Sequence, residues 1–204
     1  MNLHSTTSTH AKSTGNKQSH MHVCPWWIGY LLASPVRAWF EKPEKLVGPF
    51  VKAGDTVLDV GPGMGFFSLP AARLVGEKGR VVCVDLQEKM ISSLKRRARR
   101  KGLDKIVEGR VCNSDSLRLG DLAGKVNTAL AIHVIHEVPD PAATLREIAE
   151  TLKPGGRLLL LEPLGHVSKD EFARTEQLAV AAGLRVCKTI SLRKSHARIF
   201  EKPV

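Results

Sequence analysis

The sequence predicts an α/β sandwich built on a parallel sheet, and three observations carry that expectation. Apolar, β-branched runs recur at 56–60, 81–84, 106–112, 126–132 and 158–161 with helical patterns between them, giving βα units. The runs are near-continuously hydrophobic, as in strands covered on both faces, and parallel neighbours need crossover connections of helical length. Finally, 204 residues that are 43% hydrophobic and 25% charged suffice for one self-supporting core and exclude a coiled coil or a wholly disordered chain.

The elements follow in order. Residues 1–22 are rich in Ser, Thr, Asn and His, hold four of the eight histidines and have almost no apolar residues, so they read as a disordered tail. Met21 as the true start is the simplest account of that tail. Residues 23–50 read as an N-terminal lid segment, with Cys24, Trp26, Trp27 and Tyr30 near its start. Its apolar run is broken by Pro35 and is too short to span a bilayer, and it makes a poor secretory signal. The remaining 51–204 form the α/β domain. Within it, Met90, Ile91, Leu94 and Ala98 are spaced for a helix after the second strand. Asp140 reads as an N-cap with Pro141 at the first helical position and Ala142, Leu145, Ile148 and Leu152 inward, stopping at Lys153-Pro154-Gly155-Gly156. Ser168 and Glu171 make a capping box ahead of Phe172, Leu178, Val180 and Ala181. The runs at 184–192 and 197–201 are joined too tightly for a helix between them, so they pair antiparallel. Cys83, Cys112 and Cys187 sit in strand-like surroundings and read as buried thiols. With no CxxC pair, the cysteines fit a reducing cytoplasm.

The net charge is +11, from 31 basic and 20 acidic residues, which raises nucleic acid as a partner. The stretch 88–105 alone carries eight basic and two acidic residues. Its cations cluster towards the end of a helix, where they complement the dipole, so a solvated helix end is the simpler reading.

The chemistry begins after the first strand, at Asp59-Val60-Gly61-Pro62-Gly63-Met64-Gly65-Phe66. Glycines there let the backbone turn tightly and let a ligand approach the main chain and the following helix. The second strand ends in Asp85, twenty residues beyond Gly65, where a carboxylate can accept both ribose hydroxyls of an adenosine. A dinucleotide fingerprint wants glycine at position 66. The bulky Phe66 therefore disfavours a nicotinamide oxidoreductase and suits an adenosyl ligand without pyrophosphate.

These residues resemble motif I of the class I S-adenosylmethionine-dependent methyltransferases, and the similarity runs over roughly 45–202. It is strongest to the broad small-molecule group. The matching pieces are the glycine turn, Asp85, Asn113-Ser114-Asp115, the stretch from Ile132 to His136 and Leu152-Lys153-Pro154-Gly155-Gly156. The resemblance implies a Rossmann-like three-layer sandwich with a seven-stranded, mostly parallel sheet and an antiparallel last strand. It implies S-adenosyl-L-methionine as cofactor, with Gly61, Gly63 and Gly65 along the methionine part and Asp85 at the ribose; Asp59 and Leu86 count among the cofactor-binding residues. Asp115 would accept from the adenine amino group, and His133 would line the methionine side. Each has a plainer alternative: a strand-end cap for Asp59, a helix cap for Asp115, a surface carboxylate for Asp85.

The acceptor is expected to be a small molecule. The Asn/Asp-Pro-Pro-Tyr/Phe signature of base and glutamine methylation is absent after the fourth strand, and no interleaved basic–aromatic motif stands out. Placement beyond strand ends brings His133, His136, Glu137, Glu162 and His166 near one another, with the lid aromatics covering them. His136 is the first choice of general base and His166 the second, since imidazole titrates near neutrality; a hydrogen-bonded structural histidine is the alternative for each. Two other functions stay open: an RNA or DNA methyltransferase using 88–105, and a non-catalytic adenosyl-ligand or metal-binding sensor built on Cys24, His133, His136 and His166. No ligand spacing supports a metal.

Overall fold

A computed structural model describes residues 42–204. The expected tail at 1–22 and the lid residues Cys24, Trp26, Trp27 and Tyr30 lie outside the described residues. A short helix α1 (Pro43–Val47) leads into β1 (Thr56–Val60), α2 (Ser68–Val75), β2 (Arg80–Asp85), α3 (Glu88–Arg100) and β3 (Val107–Val111). Then come β4 (Val126–Ile132), α4 (Pro141–Thr151), β5 (Leu152–Pro163), α5 (Lys169–Ala181), β6 (Arg185–Thr189) and β7 (Ser195–Glu201). The seven strands form one sheet in the order β3-β2-β1-β4-β5-β7-β6. The pairs among β1–β5 are parallel, and β7 runs antiparallel to both β5 and β6. The expected sheet is therefore present.

Alternate residues of each strand feed two cores. Leu58, Val60, Val82 and Val84 join Leu145, Ile148 and Phe172 beneath α4 and α5. Val57, Val81, Cys83 and Leu130 join Val75, Leu94 and Ala98 beneath α2 and α3. The caps agree with the sequence. Asp140 accepts from the Ala143 N–H at 2.9 Å, and Ser168 with Glu171 forms the full capping box.

The structure differs from the expectation at four places. Residues 43–50, grouped with the lid, pack into the domain: Val47 is fully buried and the Thr128 hydroxyl donates to the Phe50 carbonyl at 2.7 Å. The fifth strand runs from Leu152 through Lys153-Pro154-Gly155-Gly156, because Gly155 and Gly156 exchange backbone hydrogen bonds with Lys202. Val180 and Ala181 face solvent while Ala179 is buried, since α5 covers the sheet with a narrow stripe. Cys187 is exposed, unlike Cys83 and Cys112. It sits on the outermost strand at a register shift between Val186 and Lys188, a strand exposed along its whole length. Among the described residues no helix is long and apolar enough to cross a membrane.

Candidate active site

The sheet order reverses direction between β1 and β4, and a crevice opens beyond the carboxyl ends of the strands at such a switch point. A cavity of about 560 Å³ lies there. It is within the size range of pockets that enclose small-molecule ligands. Its walls come from the loops after β1, β2, β3, β4 and β5 and from the first turns of α3 and α4.

The glycine turn forms one wall. Gly61 has φ +66°, and a Cβ there would meet Val134 Cγ2 at 2.5 Å, so the loop after β4 lies directly against it. Gly65 has φ +84°, and a Cβ would meet Leu94 Cδ1 at 2.3 Å, so it lets α3 close on α2. Gly63 is different: it lines the cavity, and a Cβ on it would meet nothing within 4 Å. Asp59 and Gly65 are the two expected cofactor residues that do not line the cavity. Asp59 points into the core beneath the turn, 2% exposed, and accepts from the Ser68 hydroxyl at 2.5 Å. Burial pushes its carboxyl up to about 7.

Asp85 closes β2 at the cavity wall beside the half-exposed Leu86. Its Oδ1 accepts from the Gln87 N–H at 2.8 Å, and burial pushes the carboxyl up to about 6. The other end of that wall is Asn113, Ser114 and the exposed Asp115. Asp115 caps no helix, because the next helical turn, Gly120–Leu122, has Leu119 at its N-cap. Sequence reasoning missed Glu147. From α4 it accepts from the Leu117 N–H at 3.0 Å and the Ser116 hydroxyl at 3.2 Å, fixing the loop that carries Asp115. Nothing in the sequence distinguishes this glutamate from a solvated helix residue.

The loops after β4 and β5 bring the histidines to the same cavity. His133 follows β4 with φ +59°, an uncommon conformation for a non-glycine residue, and its Nε2 shares a 3.0 Å hydrogen bond with the Ser195 hydroxyl. His136 lies in the turn Ile135–Glu137, and its Nδ1 is hydrogen-bonded to Oε2 of Glu162. Glu162 is 1% exposed, and its Oε1 accepts from the Ile135 N–H at 2.8 Å. The Glu162 carboxylate raises the His136 imidazole above its ordinary range, against the opposing effect of burial. The ring of His166 is 6.0 Å from that of His136, centroid to centroid. The structure thus brings His133, His136, Glu137, Glu162 and His166 to one end of the crevice. The soft-metal set is not described as a whole, because it includes Cys24.

The residues present fit an adenosyl group. A carboxylate able to accept hydroxyls stands at the second strand's end, an open glycine lies beside it, and Phe66, Phe67, Met64 and Met90 supply apolar walls. Fold and site together define an α/β enzyme scaffold with an adenosyl-type ligand crevice and imidazoles on its wall.

Comparison with known proteins agrees. A family model described as a methyltransferase domain matches residues 51–200. The chain belongs to this family, the class I S-adenosylmethionine-dependent methyltransferases. It is 36% identical over 115 residues to the ubiquinone/menaquinone biosynthesis C-methyltransferase of Klebsiella pneumoniae, and 37% identical over 115 residues to that of Escherichia coli. Those matches cover 55% of this chain and 44% of the relatives, so the chain aligns with less than half of their length. A crystal structure of an S-adenosylmethionine-dependent methyltransferase from Aquifex aeolicus superposes with TM-score 0.78 at 26% identity, covering 87% of this chain and 98% of that one. A [4+2]-cyclase shares the fold at TM-score 0.69 and 18% identity, covering 80% and 81%.

Proposed function

We infer that the protein transfers a methyl group from S-adenosyl-L-methionine to a small, largely apolar acceptor bound between the glycine turn and the histidines. When bound, the cofactor supplies a methyl group on a positively charged sulfur that leaves as the neutral thioether. Asp85 would hold the ribose hydroxyls and Asp115 the adenine amino group. Gly61 and Gly63 would let the methionine part pass along the backbone, and His133 would line its far side. The remaining space ends at His136 and His166, where a base is needed if the nucleophile arrives protonated.

One observation carries the reading: a hydrogen-bonded imidazole, His136, lines the same cavity as the ribose-type carboxylate Asp85. In a chain of net charge +11, no Lys or Arg is among the described residues lining the cavity. An anionic acceptor therefore gains no counter-charge from them. Val138, Pro139, Pro163 and the two phenylalanines suit an apolar ring. The curated relatives act in quinone biosynthesis, which supports a phenol- or quinol-like acceptor. The buried free thiols Cys83 and Cys112 support a reducing, cytoplasmic setting.

The test is transfer of labelled methyl from the cofactor to a panel of phenols, quinols, thiols, amines and RNA. Transfer to a phenol or quinol is expected. His136→Ala should lower that turnover about 10²–10⁴-fold while cofactor affinity holds, whereas His133→Ala should lose affinity as well. Methylation of RNA alone would replace the small-molecule reading. Tight cofactor binding with no transfer to anything in a lysate would make the protein a sensor.

A further inference from the structure

We propose that Glu162 is the positioning residue for the base: it holds the His136 ring in the Nδ1–H tautomer, so that Nε2 is the atom that takes the acceptor's proton. The inference rests on the methyl-transfer reading above. It goes beyond it by naming the residue that orients the His136 ring and the nitrogen that reacts.

Glu162 stands where a carboxylate is costly. It is 1% exposed, at the end of the strand paired on both sides by β4 and β7. A buried charge of this kind persists only when its oxygens are satisfied. Both are: Oε1 accepts from the Ile135 N–H at 2.8 Å, and Oε2 faces Nδ1 of His136. The two partners are adjacent in sequence, so the carboxylate fixes the backbone of the turn and the ring it carries. An ionised carboxylate only accepts, so the proton of the contact belongs to Nδ1, and a neutral imidazole then has its lone pair at Nε2. The ring leaves the core on that side, with the His136 side chain 23% exposed against the cavity.

The groups facing His136 are Glu162 from β5, Glu137 from its own turn at 3.8 Å from Nε2, and His166 from the loop after β5. Two carboxylates against one imidazole strengthen His136 as a proton acceptor. Among the described residues no carboxylate orients the exposed His166 in the same way. In the step itself the acceptor's proton moves to Nε2, and the electron pair it leaves behind forms the bond to the methyl as the methyl–sulfur bond breaks, the pair of that bond staying on the sulfur as the neutral thioether. The imidazolium, stabilised by Glu162, afterwards returns its proton to solvent.

Substitution with glutamine tests the tautomer. In Glu162→Gln the Ile135 N–H still needs an acceptor, so the amide oxygen stays there and the amide NH₂ turns to the ring. Nδ1 must then accept, and the proton moves to Nε2. The experiment is ¹⁵N NMR of histidine-labelled full-length protein across pH, with the His136 signal assigned by its loss in His136→Ala. The wild type is expected to show Nδ1–H, titrating above the ordinary histidine range, and Glu162→Gln to show Nε2–H, titrating lower. Turnover in Glu162→Gln should fall about 10²–10⁴-fold with cofactor affinity unchanged. Glu162→Asp, which keeps the charge, should recover part of it. The limb of the pH–rate profile should move down in pH with the glutamine variant, which a merely structural role would not produce. An Nε2–H tautomer at His136 in the wild type overturns the proposal even if no Glu162 variant folds, as does a glutamine variant with wild-type turnover and pH profile. Absence of methyl transfer by the wild type to every acceptor would instead sink the reaction assignment, and the two failures are read from different measurements.

Discussion

The Asp59 carboxylate and the Ser68 hydroxyl meet at 2.5 Å beneath the glycine turn, tying the end of β1 to the first residue of α2. Both are buried, at 2% and 0% exposure, so the turn between them is anchored at each end by a contact that water does not reach. Asp59 therefore supports the glycine turn from below.

The same burial makes Asp59 a determinant of stability against pH. Its folded value of about 7 lies above the ordinary 3.8, so between these limits the folded state holds a proton that the unfolded state lacks. Stability from this group is fully present below the unfolded value and is lost as pH rises through the folded one. Asp85, raised to about 6, acts in the same sense. The wild type should lose stability, on the order of 2 kcal/mol from Asp59 alone, between about pH 5 and 7, and Asp59→Asn should flatten that slope. Denaturant melts at a series of pH values check this, and equal slopes in both proteins would show that Asp59 is ionised throughout.

Asp85 gives a prediction about the cofactor. Removing its charge in Asp85→Asn should weaken S-adenosylmethionine binding about 10–100-fold, the scale of lost charge-assisted hydrogen bonds. Because its carboxyl is raised to about 6, wild-type affinity should also fall as pH drops below that value. Isothermal titration measures both. Affinity that ignores pH and substitution alike would remove Asp85 from the ribose.

The glycines should separate binding from folding. Gly65→Ala places a Cβ 2.3 Å from Leu94 in a positive-φ position and should destabilise the fold by about 1–3 kcal/mol. Gly63→Ala meets no protein atom within 4 Å, so its cost is the φ +54° backbone alone, about 1 kcal/mol. It should instead lose cofactor affinity, because its Cβ stands on the cavity wall. Melting curves and titrations of the two variants should rank them in opposite orders.

The basic helix tests the acceptor class. From Met90, which lines the cavity, α3 runs to Arg100, about 15 Å along its axis at the usual rise. Changing Arg96, Arg97, Arg99 and Arg100 together to Gln should leave turnover on a small acceptor within about twofold, since solvated helix-end charges act weakly over such distances. A steep salt dependence of RNA affinity in the wild type, lost in the variant, would favour nucleic acid instead.

Much of the fold was legible because its signals are local. The strand runs, the Asp140 and Ser168 caps and the glycine turn each depend on residues within a few positions. The failures share a cause: they depend on what packs from elsewhere. Cys187 looks like a core thiol until the sheet order places its strand outermost. Val180 fits a helical stripe until the narrow contact of α5 excludes it. The site divides the same way. Asp85 was visible from its spacing after the glycine turn, and Asp115 from the resemblance of the stretch after the third strand. Glu147 was not, because its role is to hold a loop 30 residues away. Asp59 is expected at the cofactor because it stands at a strand end; the period-two alternation of β1 puts it on the face covered by α2, where it meets Ser68.

The position of β7 has a consequence for how the enzyme is made. This strand is inserted between β5 and β6, and it carries Ser195, which holds His133, and His196, which meets the Val167 carbonyl at 3.1 Å. Vectorial synthesis delivers it after every other strand of the sheet. Until then β5 keeps an open edge beside Glu162, and the imidazole end of the crevice lacks its back wall. A chain that stops before Ser195 therefore has a nearly complete glycine turn but an unpaired, aggregation-prone edge, so the crevice is whole only once β7 has been inserted.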